Sequence, residues 1–573
     1  MMKGFVLFFT ILTACLLCLD ATSGLSFHWL TASLLTAFLF SWPTAYIPNR
    51  LREVVQFVLG EMVLFVCLVD VYCQELFASS ITPQILSNVL LSDAREVQEF
   101  LSTFIGYHVL SYWRIFVLVL LVLLLPVGLF FQRKHVDLPR TSKKIVYVSL
   151  GLLFLCVILE ACPIFRYSQL FFQNRDYQKM EGLIFRHYHE EVPTPLHRFL
   201  FSYYALNQSA RVLEDIKAAT LKAQIDSCSY VSPHIVLVIG ESYNKHHSSL
   251  YGYPLKTTPL QQKRKEEGQL FVFTDVVSPW NITSNAFLGI FSLWEYGLEE
   301  TVSEMPLLPI LFKRADYEVN FFSNQYQLRG FHKGGTNQAG HFFLADREMS
   351  DSLFSFRNRK TDKYDIELVE QVVEHKTSNN PATYSLDIIH LIGQHFDYEE
   401  RYPKRETVFA EKRYHNRDLT KDAKRMVMHY DNATYYDDMV LDSILSVYEK
   451  DNVVVLFVAD HGEEVYDDQP VHGRLFQTPT PSQARYEFEV PMWIWCSESY
   501  RLSHPDVIHD IELSVNKPFL TDGLPQLLLS LAGISSSWND ESHNLLSPKY
   551  KCKPRIIGGD TNYDEIIKNL SDR

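Results

Sequence analysis

Asn452-Val-Val-Val-Leu-Phe-Val-Ala-Asp460-His461-Gly462-Glu463 is an unbroken apolar run that ends on a cluster of polar side chains. A run this short and this apolar reads as a strand buried on both faces, as in the interior of a parallel sheet. Asp460 and His461 then stand at its carboxyl edge, and both side chains are common metal ligands. His234-Ile-Val-Leu-Val-Ile-Gly240-Glu241-Ser242 repeats the design: a buried strand, a small residue, then an acid. In open α/β sheets, ligands gather outside the carboxyl ends of the strands. Glu241, Asp460 and His461 are therefore expected to share one metal site.

Outward from these two strands the pattern alternates strand and helix. Further buried strands are expected at 271–277, 319–323, 384–392 and 488–495, with helices at 284–294, 304–314 and 428–449. That order predicts an α/β domain over 231–573 with a mainly parallel central sheet flanked by helices.

The amino-terminal part is different in kind. Five apolar segments, near 4–20, 26–46, 54–73, 115–131 and 144–162, approach the length of about 20 residues that a helix needs to cross a bilayer. Residues 1–162 are thus expected to form a five-helix transmembrane domain. The loop after the second span carries Arg50 and Arg52, and the loop before the fifth carries Arg133, Lys134, Arg140, Lys143 and Lys144. Positive loops face the cytoplasm, so the amino terminus is expected inside and the α/β domain outside. Residues 163–230, rich in aromatics and charge, read as a segment bridging the two at the membrane interface.

A net charge of −14 with no basic stripe argues against nucleic acid as a partner. Of nine cysteines only Cys228, Cys496 and Cys552 follow residue 163, and none forms a CxxC pair, so a cysteine zinc site is not supported.

Asn281-Ile-Thr283-Ser284 precedes an apolar helical run. Either hydroxyl can simply cap that helix. Alternatively, Thr283 is a nucleophile at a helix amino terminus, where unpaired N–H groups favour an anionic phosphoryl adduct. Asp387-Ile-Ile-His390-Leu-Ile-Gly393-Gln394-His395 puts two histidines at and beyond a strand end, and His472 follows in a loop. These three can ligate a second metal or contact a phosphate. Asn324, at another strand end, can donate to a phosphate, although packing or turn formation explains it as well.

Taken with Leu250-Tyr-Gly252-Tyr-Pro254, Tyr430-Asp431-Asn432 and Asp460-His461-Gly462-Glu463, these motifs resemble the sulfatase/alkaline-phosphatase-like superfamily. Within it they are similar to the bacterial phosphoethanolamine transferases. The resemblance implies an alkaline-phosphatase-like domain with zinc between Glu241, Thr283, Asp460 and His461. One or two ions are implied, with manganese as the alternative. Thr283 would be the catalytic nucleophile, and His395, His472, His390 and Asn324 would bind substrate. The implied reaction moves phosphoethanolamine from phosphatidylethanolamine to a surface glycolipid or glycan through a phosphothreonine. The implied location is the bacterial inner membrane, with the catalytic domain in the periplasm. Few soluble-domain cysteines favour the core-sugar branch over the lipid A branch. A phosphoglycerol transferase, a metal-dependent phosphodiesterase and a membrane-anchored sensing module are the alternatives.

Overall fold

The structure is a computed structural model that describes residues 27–77, 195–295, 302–325, 347–414, 418–475 and 479–571, with short stretches and single positions between 9 and 158. The chain divides into two compact units, Met1–Gln208 with Leu475–Gln477, and Ser209–Arg474 with Thr478–Arg573.

In the first unit, helix α1 covers Phe27–Ser41 and α2 covers Asn49–Phe77. Among the described residues one helix, Leu51–Glu75, is long and apolar enough to cross a membrane. The segments expected to span at 4–20, 115–131 and 144–162 fall almost entirely outside the described residues. Ala37, Leu64, Cys67 and Val71 build a small core between α1 and α2. Asp70, fully buried on α2, takes a two-pronged pair from Arg198, with Nε to Oδ1 at 3.1 Å and Nη2 to Oδ2. Its carboxylate also accepts from Gln74 Nε2 and from the backbone N–H of Ile81. A buried charge persists only when paired and hydrogen-bonded, and Asp70 is both. Arg198 lies on helix α3, Pro195–Lys222, which occupies the end of the expected bridging segment.

The second unit is built on a seven-stranded sheet. Its elements include β1 (His234–Gly240), β2 (Leu270–Phe273), α4 (Thr283–Phe291), β3 (Glu318–Ser323) and β4 (Phe356–Arg357). They continue with α5 (Asp365–Ser378), β5 (Ser385–His390), α6 (Lys421–Tyr448) and β6 (Val453–Ala459). A small hairpin of β7 (Glu464–Val465) and β8 (His472–Gly473) precedes β9 (Met492–Cys496). The order across the sheet is β2-β9-β6-β1-β5-β3-β4.

β1 pairs in parallel with both β5 and β6, and β3 pairs in parallel with β5 and β4. β9 runs antiparallel to β6 and β2, so the sheet is mixed rather than uniformly parallel. β6 is buried at every position because β1 and β9 flank it and both faces are covered. Its unbroken apolar run follows from that place, where each large side chain contributes roughly 1.5–3 kcal/mol on burial.

Some expected strands come out shorter, among them 384–392, which runs only over Ser385–His390. The run at 271–277 splits, and Val276–Val277 leaves the sheet to pair with Phe519–Leu520. The run at 488–495 begins only at Met492, because Pro491 lacks the N–H that a ladder position requires. β4 is not among the expected strands: two residues are too few to show a period.

Candidate active site

The parallel strands bring their carboxyl ends to one edge, and β1 and β6 lie side by side there, with Gly240 opposite Ala459. Glu241 and Asp460 are the next residues on each strand, so adjacent register alone makes them neighbours. Beyond Glu241 the chain turns sharply. Ser242 has φ of 55°, a left-handed conformation that is costly for a residue with a Cβ. Three hydrogen bonds hold it: Tyr430 Oη donates to Ser242 O at 2.6 Å, Ser242 N to Asp460 Oδ1 at 3.1 Å, and Ser242 Oγ to Glu241 Oε1 at 2.7 Å.

Two glycines let backbone approach this edge. Gly393 has φ of +46°, and a Cβ there would lie 2.9 Å from Glu241 O. A Cβ on Gly462 would lie 2.2 Å from Tyr486 O, so only glycine fits beside His461.

His461 donates Nδ1–H to Gly462 O at 2.8 Å, which leaves the lone pair on Nε2. That nitrogen lies 3.2 Å from Asp460 Oδ2, 3.4 Å from Glu241 Oε1 and 3.2 Å from Thr283 Oγ1. Thr283 in turn donates to Glu241 Oε2 at 3.1 Å. Thr283 is the first residue of α4, whose N-cap is Ile282 with no side-chain cap bond, so its hydroxyl is not spent on capping. The hydroxyl of Ser284 turns instead toward Asn285 Oδ1 at 3.3 Å. The expected quartet of Glu241, Thr283, Asp460 and His461 thus meets at one point.

Electrostatics match this geometry. Burial pushes the Asp460 carboxyl well above its ordinary range, and the Glu241 charge adds to that. Burial also opposes ionisation of Glu241, but His461, His395, Arg474 and the Gln325 amide outweigh it and hold Glu241 below the usual carboxylate range. The pair therefore carries one negative charge and one proton that a cation can displace. Burial, with Arg474, depresses His461 to about 3, so the ring is neutral and its Nε2 keeps a lone pair.

The residues fit a divalent cation. Ligand atoms of Glu241, Asp460 and His461 lie within 4.8 Å of one another, all buried. Asp460 Oδ2 is buried without a hydrogen-bond donor, a position that a metal would satisfy. Three carboxylate or hydroxyl oxygens and one imidazole make a four-ligand set suited to zinc.

The expected substrate residues divide into two groups. His395 donates Nδ1–H to Phe396 O at 2.7 Å, and burial lowers its pKa while Glu241 opposes the shift. His472 stands on β8, its Nδ1 3.1 Å from Tyr466 Oη. His390 is held inside the fold: Nδ1 meets Ser323 Oγ at 3.0 Å, Nε2 meets Gln325 Nε2 at 3.0 Å, and the ring packs on Phe287. Asn324 donates to Asp365 Oδ1 at 2.9 Å and accepts from Asp362 N at 2.6 Å. Asp365 accepts from the N–H groups of Ile392 and Gly393, so Asn324 braces the turn that presses on Glu241. Asn324 and His390 are thus both engaged by neighbouring groups of the fold.

Three further residues belong to the site. Gln325 donates through Nε2 to Glu241 Oε2 at 2.9 Å and to Leu391 O at 2.9 Å. Glu463, buried, accepts from Tyr398 Oη at 2.7 Å. Arg474 donates through Nη1 to His461 Nε2 at 2.7 Å, and its Nε lies 3.4 Å from Glu463 Oε2. Successive side chains at a strand end point to opposite faces, so the motif Ser323-Asn324-Gln325 does not say which amide reaches Glu241. Arg474 follows His472 by two positions in the sequence, which alone does not mark it as part of the site.

A family model described as Sulfatase matches residues 233–522. The chain is 25% identical over 572 residues to phosphoethanolamine transferase EptC of Escherichia coli (strain K12), covering 98% of this chain and 93% of that protein. It is 26% identical over 273 residues to the Kdo(2)-lipid A phosphoethanolamine 7''-transferase of the same organism, covering 47% and 45%. Among solved structures, the integral membrane protein lipooligosaccharide phosphoethanolamine transferase A (EptA) from Neisseria meningitidis shares the fold, with a TM-score of 0.60 and 18% identity over 94% of this chain and 97% of that one.

Proposed function

The chain belongs to the sulfatase family, and on that premise we propose that it moves phosphoethanolamine from phosphatidylethanolamine to a cell-surface glycolipid through a phosphothreonine at Thr283. One observation carries the reading: an uncapped threonine hydroxyl at a helix amino terminus lies 3.1 Å from Glu241 and 3.2 Å from His461. The names of the relatives supply the transferred group.

Thr283 Oγ attacks the phosphorus of the donor, and the bond from phosphorus to the diacylglycerol oxygen breaks as the new one forms. The proton leaving Thr283 along its hydrogen bond to Glu241 is balanced by the one the departing diacylglycerol oxygen takes up. In the second displacement an acceptor oxygen attacks the same phosphorus and Thr283 Oγ leaves, recovering a proton from the acceptor. The amino terminus of α4 would stabilise the charge of the adduct. With Nδ1–H committed to Phe396, His395 has its lone pair on Nε2, suited to accept the acceptor's proton. His472 is assigned to the phosphoryl oxygens.

Zinc bound by Glu241, Thr283, Asp460 and His461 would favour the threonine alkoxide and offset charge on the phosphoryl group. Anchoring in the inner membrane, with the catalytic unit in the periplasm, places the enzyme beside its lipid donor and raises the effective concentration of both.

Labelled phosphatidylethanolamine tests the reading. Purified protein should release diacylglycerol and carry one phosphoethanolamine on the peptide containing Thr283. Thr283→Ala should keep the fold and lose both products. Diacylglycerol release by Thr283→Ala would discard the nucleophile, and free phosphoethanolamine with no labelled protein would favour a phosphodiesterase.

A further inference from the structure

His461 Nε2 has a single lone pair, and two cations have a claim on it. One is the divalent metal that Glu241, Asp460 and Thr283 converge to hold. The other is Arg474, whose Nη1 donates to that nitrogen at 2.7 Å. A lone pair serves one partner, so the two contacts are alternatives. Both cannot stand at full strength, because two positive charges would then be adjacent in a buried site.

Arg474 is well placed for either position. Its side chain is 15% exposed, and Glu463, at 1%, supports it from the side at 3.4 Å. Glu463 is fixed by Tyr398 Oη at 2.7 Å, so the support stays when the guanidinium lets go of His461. Guanidinium donors form a planar fork that matches two oxygens of a phosphate. Arg474 Nη1 and Thr283 Oγ1 lie against the same His461 nitrogen, at 2.7 Å and 3.2 Å, so the guanidinium borders the threonine hydroxyl.

We infer that Arg474 has two positions: on His461 Nε2 as the internal counter-cation of the cluster, and, once a divalent metal takes that nitrogen, on the oxygens of the phosphoryl group at Thr283. The second position rests on the proposed phosphoryl chemistry, while the first rests on the cluster alone.

The test is equilibrium binding to the full-length protein in detergent, with zinc competed against a chromogenic chelator and inorganic phosphate titrated into the zinc-loaded protein. Arg474→Gln removes the competitor for His461 and leaves the buried carboxylates short of a cation. It should bind zinc about tenfold more tightly and phosphate about tenfold more weakly. A residue that only supported the fold would weaken zinc binding instead. Unchanged or weaker zinc binding overturns the inference, and so does unchanged phosphate binding. Arg474→Lys keeps the charge without the fork, so it serves if the glutamine variant does not fold. It should keep zinc affinity near wild type, because an ammonium still competes for His461, and lose phosphate affinity with the fork; unchanged phosphate binding overturns the second position. Neither measurement involves a lipid donor, so an error in the transferred group would leave both results standing, and only the turnover assay would expose it.

Discussion

At the scale of single residues, the cluster depends on side chains outside the Glu241, Thr283, Asp460 and His461 quartet. Gln325 is the clearest case, since one amide orients Glu241 Oε2 and ties it to Leu391 O. Replacing it with the shorter, apolar leucine in Gln325→Leu should cost roughly 10–100-fold in zinc affinity, as is usual for residues that orient a metal ligand. Zinc titration against a chelator measures this, and an affinity within about twofold of wild type would show that Glu241 holds its place unaided. The ligands themselves were legible in the sequence because acid and histidine at strand ends have a chemistry of their own. Gln325 was not, because a neutral amide beside an equally plausible Asn324 carries no signal until the strand's facing is known. Arg474 was missed for another reason: an arginine in a loop looks like solvated surface, and only the fold shows it against His461.

At the scale of elements, α6 does more than cover the sheet. It is buried along most of its length, and the consecutive residues Tyr430, Asp431 and Asn432 serve three different neighbours. Tyr430 holds the strained Ser242, Asn432 binds the 408–409 backbone, and Asp431 accepts from Tyr253, Tyr414 and His247. His247 lies between Asp431 at 2.6 Å and Asp467 at 3.2 Å. Burial alone would depress its pKa, but Asp467 and Asp431 override burial and raise it to about 10. A histidine with a raised folded-state pKa adds stability that is complete below its unfolded value of about 6.5 and fades as pH climbs through the folded value. The second unit should therefore lose stability between about pH 6.5 and pH 10, and His247→Gln should flatten that slope. Denaturant melts across this range provide the check, and equal slopes in both proteins would remove His247 as the cause.

Element type followed readily from sequence for β1, β5, β6, α4 and α6, whose apolar patterns are long. The antiparallel direction of β9 was hidden, because direction depends on a connection and not on a side-chain period. Among the described residues of the first unit, the Asp70–Arg198 pair joins α2 to α3. Asp70→Ala leaves a buried guanidinium without its partner and should destabilise that unit by about 3–5 kcal/mol. The double variant Asp70→Leu with Arg198→Met should recover much of the loss, measured by melting in detergent. No recovery would mean that the pair provides more than mutual neutralisation.

Taken as a whole, the molecule consists of two compact units, and a metal site built entirely within one of them. Zinc should then stabilise only that unit. At a free concentration a hundred times its Kd, the gain is about 2.7 kcal/mol. Calorimetry with and without a chelator should show one transition shifting and the other fixed; movement of both together would mean that they melt as one. The partition into an apolar amino-terminal part and a mixed α/β part was plain from composition, whereas the boundary at Gln208 was not, because it falls inside the continuous helix α3. The pairing of Asp70 with Arg198 also spans 128 positions of chain. If α2 enters the bilayer as it emerges from the ribosome, its carboxylate waits for a partner that has not been translated. At typical elongation rates that interval is on the order of 10 s. During it the nascent chain carries an acid whose guanidinium partner does not yet exist.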